Sequence, residues 1–256
     1  MFWIDTHAHL YSDEFLTDQQ AMIQRAIDAG VTRLLLPNID ESSINGMLML
    51  EAAWPENCFA MMGLHPCYVR KEVEPQLRLI KDWLKQRPFR AIGEIGLDFY
   101  WDKSLTEQQL HAFRAQLQLA KEYKLPVSIH SREATRECIN EVKALQDGGL
   151  SGVFHCFSGT LEEAREIIDL GFYLGIGGVV TFKKSGLDQL LEHIPLENIV
   201  LETDAPYLAP TPYRGKRNES AYIPLIGEKI ADIKNLKIEE VAGITSSNAQ
   251  KLFKML

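Results

Sequence analysis

Two histidines near the start of the chain have the spacing of a metal-binding pair. His7 and His9 follow an apolar segment, residues 2–5, that has the character of a short β-strand. In an extended chain, side chains two residues apart point to the same side. Imidazole nitrogens are good ligands for transition metals. The pair therefore predicts a metal site at the end of this strand.

Other polar residues with metal-binding side chains end or follow apolar segments further along the chain. These residues are His65, Glu94, His130, His155 and Asp204. With His65 left aside, four imidazoles and two carboxylates exceed what one zinc ion with an open water position uses. We therefore expect two metal ions, with His7 and His9 on the first, His130 and His155 on the second, and Glu94 as a bridge. Two cations about 3.5–4 Å apart can generate hydroxide near neutral pH and stabilise the attacking and leaving oxygens of a displacement.

The remaining candidates take supporting roles in this hypothesis. Asp204 is expected to complete the ligand set of the first ion and to accept or orient the proton of the attacking water. His65 is expected to contact substrate or transfer a proton rather than to bind metal. Asp98 and Glu202 are expected to lie behind the ligands and orient their imidazoles.

Apolar segments alternate with longer amphipathic segments along the whole chain, and this alternation predicts the fold. Eight short segments read as buried strands, residues 2–5, 33–36, 59–62, 90–93, 126–129, 152–154, 172–176 and 198–201. Strands that alternate with helices predict a parallel sheet with right-handed crossovers. Eight such units favour an α/β fold of the (β/α)8 TIM-barrel type. The alternative, an open doubly wound sheet, usually has a glycine-rich turn after its first strand, where this chain has His-Ala-His.

We expect a single domain over residues 1–256, with an additional helix near residues 238–255 after the eighth unit. Two helix starts carry the capping-box pattern, Thr106 with Gln109 and Thr160 with Glu163. In a barrel, the C-terminal ends of all strands meet at one end, where active sites of this fold lie. The candidate ligands are therefore expected to converge there, although His7 and Asp204 are far apart in sequence.

Composition and charge narrow the classes of function. The chain has 27 Lys and Arg against 35 Asp and Glu, a formal charge of −8, which argues against broad binding of duplex nucleic acid through a basic surface. A bound metal pair would add positive charge, so an acidic substrate is compatible with this balance. Four widely spaced cysteines read as reduced thiols. With no apolar run of about 18 residues and no leader-like start, we expect a cytoplasmic protein without a membrane span.

Six segments around the candidate residues resemble the TatD-type metal-dependent hydrolases, part of the wider group of amidohydrolase-like barrels. They are residues 5–9 (DTHAH), 63–66 (GLHP), 93–98 (GEIGLD), 130–134 (HSREA), 155–159 (HCFSG) and 202–208 (ETDAPYL). Ser247, Asn248, Ala249 and Phe253 also fit, so the resemblance covers essentially the whole chain. One departure is Ser220, where the family commonly has proline, and we expect it to loosen the start of the next helix rather than to remove a ligand.

The resemblance implies a (β/α)8 barrel, a two-metal centre on the residues named above, and hydrolysis of phosphodiester bonds. Members of the family are deoxyribonucleases, and some act as exonucleases on single strands. Nucleic acid is therefore the expected partner, and we expect a monomer. Two alternatives stay open: an ester or amide hydrolase, such as one that removes D-amino acids from tRNA, and a non-enzymatic metal-binding accessory to protein export.

Several residues near the expected site are candidates for contact with substrate. Arg132 has a planar guanidinium that suits a phosphate, with a salt bridge at a helix start as the alternative. Arg214, Lys216 and Arg217 form a locally basic segment that we expect to follow a nucleic-acid backbone, with Tyr207 stacking on a base. The alternative is a solvated loop with ordinary packing aromatics.

The imidazole-rich ligand set bears on the identity of the two divalent metal ions. Imidazole favours zinc or manganese, and nickel or cobalt is also compatible with it. Magnesium prefers oxygen ligands and water, yet it is common in nucleases. We therefore favour zinc or manganese and expect that magnesium also supports turnover.

Overall fold

Eight parallel strands alternate with helices from the start of the chain to its end. The computed structural model describes residues 1–255. Its strands are β1 (Trp3–Asp5), β2 (Val31–Pro37), β3 (Cys58–Met61), β4 (Ile92–Asp98), β5 (Val127–Arg132), β6 (Gly152–Phe154), β7 (Tyr173–Ile176) and β8 (Ile199–Leu201). Its α-helices are α1 (Gln19–Asp28), α2 (Ile44–Ala53), α3 (Glu74–Gln86), α4 (Thr106–Tyr123), α5 (Thr135–Leu145), α6 (Leu161–Asp169), α7 (Leu187–Glu192), α8 (Ile223–Lys234) and α9 (Ile238–Leu252).

The strands form a closed (β/α)8 barrel, as the sequence predicts. Regular ladders join β1 to β3 in one row and β4 to β8 in another, all parallel. Backbone hydrogen bonds connect the two rows at both seams. Gly93 N–H donates to the carbonyl of Met62 at 3.1 Å, and Thr6 N–H donates to the carbonyl of Leu201 at 3.0 Å. These bonds leave no open edge at either seam, so the doubly wound alternative is wrong.

Two strands run at least three residues past the C-terminal ends of their predicted apolar segments. β4 was expected at residues 90–93 and extends to Asp98, and β5 was expected at residues 126–129 and extends to Arg132. Glu94 and His130 therefore lie within strands rather than after them. The ladder pairs Gly96 with His130 and Asp98 with Arg132, which continues the backbone pairing past the apolar core. Strand backbone places these side chains more rigidly than a loop does.

One of the two predicted capping boxes is present. Thr160 Oγ1 accepts a hydrogen bond from Glu163 N–H at 3.2 Å, and the Glu163 carboxylate accepts one from Thr160 N–H at 2.9 Å. The box at Thr106 is wrong, because Thr106 Oγ1 donates to the Lys103 carbonyl instead. Gln109 is buried and bonds the backbone of Asp98 at the end of β4. A buried amide satisfies buried backbone groups there, which outweighs a local cap.

The two ends of the barrel differ in chemistry. We call the end formed by the C-terminal ends of the strands the mouth, and the opposite end the bottom. At the bottom, inward-facing residues such as Ile4, Leu35 and Val200 form an apolar cluster with Leu252 and Phe253 of the α9 end. The additional C-terminal helix was predicted, and it closes the barrel from below.

A larger core lies between the strands and the surrounding helices. Within residues 1–255, no helix combines the length and apolar character that crossing a membrane requires. The expectations of a single domain over residues 1–256 and of a monomer stay predictions.

Candidate metal centre

The predicted ligands converge at the mouth around the carboxylate of Glu94. Glu94 Oε2 lies 3.1 Å from His7 Nε2 and 3.3 Å from His9 Nε2. Its other oxygen, Oε1, lies 2.9 Å from His130 Nδ1 and 2.8 Å from His155 Nε2. One carboxylate thus faces two pairs of imidazoles, one pair with each oxygen.

Asp204 completes the cluster from the end of β8. Its Oδ1 lies 3.5 Å from His9 Nε2 and 3.9 Å from His7 Nε2. The residue has a positive φ of 55°, a conformation that Asp adopts more readily than most residues. Asp204 is 16% exposed whereas Glu94 is 2% exposed, so Asp204 is the carboxylate that water reaches. The two carboxylates and their histidines are positioned to bind metal ions.

Two of these histidines have their outer nitrogen held by a polar group that fixes the position of the hydrogen. His9 Nδ1 lies 3.0 Å from the Tyr11 hydroxyl, which donates its own proton to the Pro37 carbonyl, so His9 Nδ1 must carry the hydrogen. His130 Nε2 lies 2.9 Å from Asp98 Oδ2, as expected for a carboxylate that orients a ligand. When these rings are neutral, each arrangement leaves the inner nitrogen with a free lone pair, which is the form that binds a metal.

His7 is supported in a similar way from deeper in the barrel, and a buried carboxylate lies behind His155. His7 Nδ1 lies 3.0 Å from Ser128 Oγ. His155 Nδ1 lies 3.6 Å from the carboxylate of Glu202, which is fully buried and accepts a hydrogen bond from Cys156 N–H. The Glu202 carboxylate fits there because residue 175 is glycine, where a Cβ would lie 2.3 Å from Glu202 Oε2. Glu202 thus lies behind the candidate ligand His155, as the sequence predicted.

His65 has the opposite arrangement of hydrogen. Its Nδ1 accepts a hydrogen bond from Cys67 N–H at 3.1 Å, so the hydrogen of the neutral ring is on Nε2. That nitrogen lies 3.3 Å from Glu94 Oε1. Burial and neighbouring His130 lower the pKa of His65, although Glu94 opposes this, and the ring stays neutral. His65 Nε2 therefore presents its hydrogen toward Glu94, while His65, Glu94 and His130 also lie close enough together to hold an ion, so the expected place of His65 outside the ligand set stays a prediction.

The site favours cations electrostatically. Burial alone would raise the pKa of Glu94, but His65, His155 and His7 hold it well below its usual range. Burial likewise opposes ionisation of Asp204, yet its histidine neighbours, with His9 foremost, lower the pKa of that carboxyl. Both carboxylates are ionised at neutral pH. Ionised carboxylates among imidazoles that can release their protons to a metal suit divalent cations better than they suit water.

Comparison with known proteins supports the resemblance seen in the sequence. Residues 4–254 match the family model described as TatD related DNase. The chain belongs to the TatD family. It is 40% identical to the metal-dependent hydrolase YabD of Bacillus subtilis and 34% identical to the 3'-5' ssDNA/RNA exonuclease TatD of Pantoea ananatis. These alignments cover 98% of this chain and 98% and 99% of the two relatives.

A solved structure of a TatD homologue confirms the fold. The crystal structure of YjjV from Escherichia coli superposes with a TM-score of 0.93 at 31% identity, covering 98% of both chains. The predicted family and barrel fold are therefore both confirmed. The assignment of individual site residues stays a prediction that rests on the geometry above.

The predicted substrate contacts of this TatD-family chain occupy the rim of the mouth. Arg132 makes no ion pair within residues 1–255, and its guanidinium lies 3.7 Å from the centre of the exposed Tyr100 ring. The salt-bridge alternative for Arg132 is therefore wrong. Tyr207 is 55% exposed, and its ring centre lies 6.3 Å from that of His9. Arg214 is exposed and lies over the ring of Phe182.

Sequence reasoning missed two residues that contact the candidate ligands, Ser128 and Tyr11. Tyr11 lies in the turn after His9, where strand periodicity does not apply, whereas Ser128 precedes His130 by two residues in β5 and faces the same side. That spacing was the available signal. The two remaining histidines, His111 and His193, are exposed on helices of the outer layer or at their ends.

Proposed function

We propose that this chain is a metal-dependent nuclease that hydrolyses phosphodiester bonds of single-stranded nucleic acid, as an exonuclease acting from the 3' end. The observation that carries the proposal is the Glu94 carboxylate, shared between two pairs of imidazoles at the mouth of a barrel. The naming of several relatives as 3'-5' ssDNA/RNA exonucleases supports the substrate class.

The donor set fits two divalent cations. The first would be held by His7, His9 and Asp204, the second by His130 and His155, with Glu94 shared. In such a centre, two bound cations supply hydroxide near neutral pH and neutralise charge on the phosphate oxygens. Imidazole nitrogens outnumber carboxylates here, which favours zinc or manganese over magnesium.

The chain's own groups supply proton transfer and orientation. Asp204 is the carboxylate with access to solvent, so its oxygen accepts the proton of the attacking water. His65 holds a hydrogen on Nε2 at the edge of the cluster, where it can donate to an oxygen of the substrate. Arg132 at the end of β5 presents a planar fork to a phosphate, and its position over Tyr100 keeps it there.

Exposed aromatic rings around the mouth suit unpaired bases. Trp101 is 70% exposed, Tyr207 55% and Tyr100 50%, and all follow the ends of β4 or β8. Aromatic stacking contributes about 1–3 kcal/mol per base in proteins that bind single strands. This arrangement favours a single strand over a duplex, whose bases are already stacked.

The experiment is an assay of the purified, metal-loaded chain on end-labelled single-stranded DNA, with metal content measured by mass spectrometry. We expect two divalent ions per chain and stepwise shortening from the 3' end. An aminoacyl ester offered in parallel tests the ester-hydrolase alternative, and turnover of the ester alone would overturn the nuclease proposal. Retention of all biological activity by Asp204→Asn would favour the accessory role.

A further inference from the structure

A cavity of about 470 Å³ with three basic residues in its lining lies between the loops that follow β7 and β8. Its lining includes Phe182, Lys183 and Lys184 from the first loop and Thr211 and Arg214 from the second. The loops are joined by a hydrogen bond from Thr211 N–H to Thr181 Oγ1 at 2.9 Å. The second loop begins at the metal-centre residue Asp204, so cavity and centre share the mouth.

The cations of this cavity are free to bind an anion. Lys183, Lys184 and Arg214 line it and form no ion pair within residues 1–255. This contrasts with a formal charge of −8 for the whole chain. Three unpaired cations around one concavity on an acidic protein attract a phosphate locally, while the rest of the surface repels nucleic acid.

The two arginines of the basic segment at residues 214–217 make different contacts. Arg217 makes a two-pronged contact with the Asp18 carboxylate, at 2.7 and 2.8 Å, which holds the loop in place. Arg214 instead points to the cavity, where its guanidinium lies 4.4 Å from the centre of the Phe182 ring. Next to Arg214, Tyr213 stacks on Tyr222 at 4.3 Å and fixes the loop at the start of α8. Contact with Phe182 thus orients the Arg214 guanidinium, and no carboxylate within residues 1–255 neutralises its charge.

We propose that this cavity binds a backbone phosphate of the substrate strand, at a nucleotide removed from the one being cleaved. Lysine charges attract the phosphate, the arginine fork binds its oxygens, and the Phe182 face lies beside the attached nucleoside. The site lengthens the region of the strand that the protein holds. The proposal rests on the proposed nuclease function for the identity of the strand.

The test measures binding and hydrolysis separately. Binding of a fluorescent 12-nucleotide DNA strand is followed by anisotropy for the full chain and for Lys183→Ala/Lys184→Ala. Removal of two phosphate-binding charges is expected to raise Kd about tenfold and to lower the salt dependence of log Kd by roughly 0.7 for each phosphate that is left without a cationic partner. Hydrolysis of bis(4-nitrophenyl) phosphate, which has no second phosphate for the cavity to bind, should stay at the wild-type rate.

A matched control removes the same charge elsewhere. Lys143→Ala/Lys251→Ala changes exposed residues in the last turns of α5 and α9, toward the bottom of the barrel, and should leave Kd unchanged. Arg214→Lys keeps the charge and loses the fork, so its Kd should fall between those of the wild type and Arg214→Ala. An unchanged Kd in the double variant, or an equal rise in the control, would overturn the cavity proposal. Strand binding without any diester hydrolysis would instead overturn the nuclease function.

Discussion

The mouth and the bottom of this barrel are built from the same strands but have different roles. At the bottom, Ile4 and Val200 face inward and pack against Phe253. A few residues further along the same strands or just beyond them, His7 and Glu202 face inward at the mouth, where they meet polar groups. The bottom therefore stabilises the fold by burying apolar surface, whereas the mouth gathers charge at a cost in desolvation.

Small residues separate the two regions. A Cβ on Gly93 would lie 2.8 Å from Ser128 Cβ, and Gly175 leaves room for Glu202. This layer leaves room for the polar side chains inside the barrel, where the groups that contact them are buried. The difference between the two ends implies that activity and stability can be changed almost independently by choosing which end of the barrel to mutate.

The largest effect is expected from Glu94→Gln at the mouth. Gln has the same shape but lacks the charge that two cations would share, so hydrolysis of single-stranded DNA should fall by at least about 10²–10³-fold. Steady-state kinetics together with metal content checks this outcome. If the variant kept wild-type turnover and two ions per chain, Glu94 would not be the bridging ligand.

At the bottom, Phe253→Ala should reduce stability instead of activity. Phe253 is 1% exposed, and loss of a buried phenyl group typically costs about 3–5 kcal/mol. Urea denaturation measures this loss, and Lys251→Ala, an exposed change on the same helix, is the control. Below the unfolding transition, kcat should match the wild type. A loss of kcat in fully folded Phe253→Ala would show that the two ends are coupled.

A pair of glycine substitutions probes the layer between the ends. Gly175→Ala would place a Cβ 2.3 Å from Glu202 Oε2, so the carboxylate behind His155 must move. Loss of such support typically costs about 10–100-fold in metal affinity or activity. Metal titration and kcat measure the effect.

Gly243→Ala is the control for this pair, because nothing lies within 4 Å of the added Cβ in α9. It should stabilise the helix by about 0.5–1 kcal/mol and leave metal affinity unchanged. Equal metal affinity in both variants would mean that Glu202 does not position His155.

The sequence predicted the barrel and the convergence of its ligands because both follow from periodicity. Alternating segments specify strands and helices, and all strand ends meet at one place. The ends of β4 and β5 were less predictable, because Glu94 and His130 are polar residues that extend buried strands through backbone pairing. The false cap at Thr106 has a similar cause, since long-range burial of Gln109 outweighs a local pattern. The role of His65 depends on a hydrogen bond from Cys67, which spacing alone does not reveal.

The smallest effect is expected at the rim, where Asp18 binds Arg217 and Arg25 in a partly exposed cluster. Hydrogen bonds from these arginines hold the pKa of Asp18 well below its usual range, so its contribution to stability is present above about pH 4 and is lost as the pH falls. Asp18→Asn should therefore lower the free energy of unfolding at neutral pH by less than about 1 kcal/mol, since solvent screens exposed pairs. Denaturation at several pH values should show the difference from the wild type shrinking below about pH 4. If the difference in unfolding free energy between variant and wild type grew on acidification, the expected sign would be wrong. If the variant lost as much unfolding free energy at neutral pH as Phe253→Ala does, the rim charges would stabilise the fold as much as the apolar bottom does.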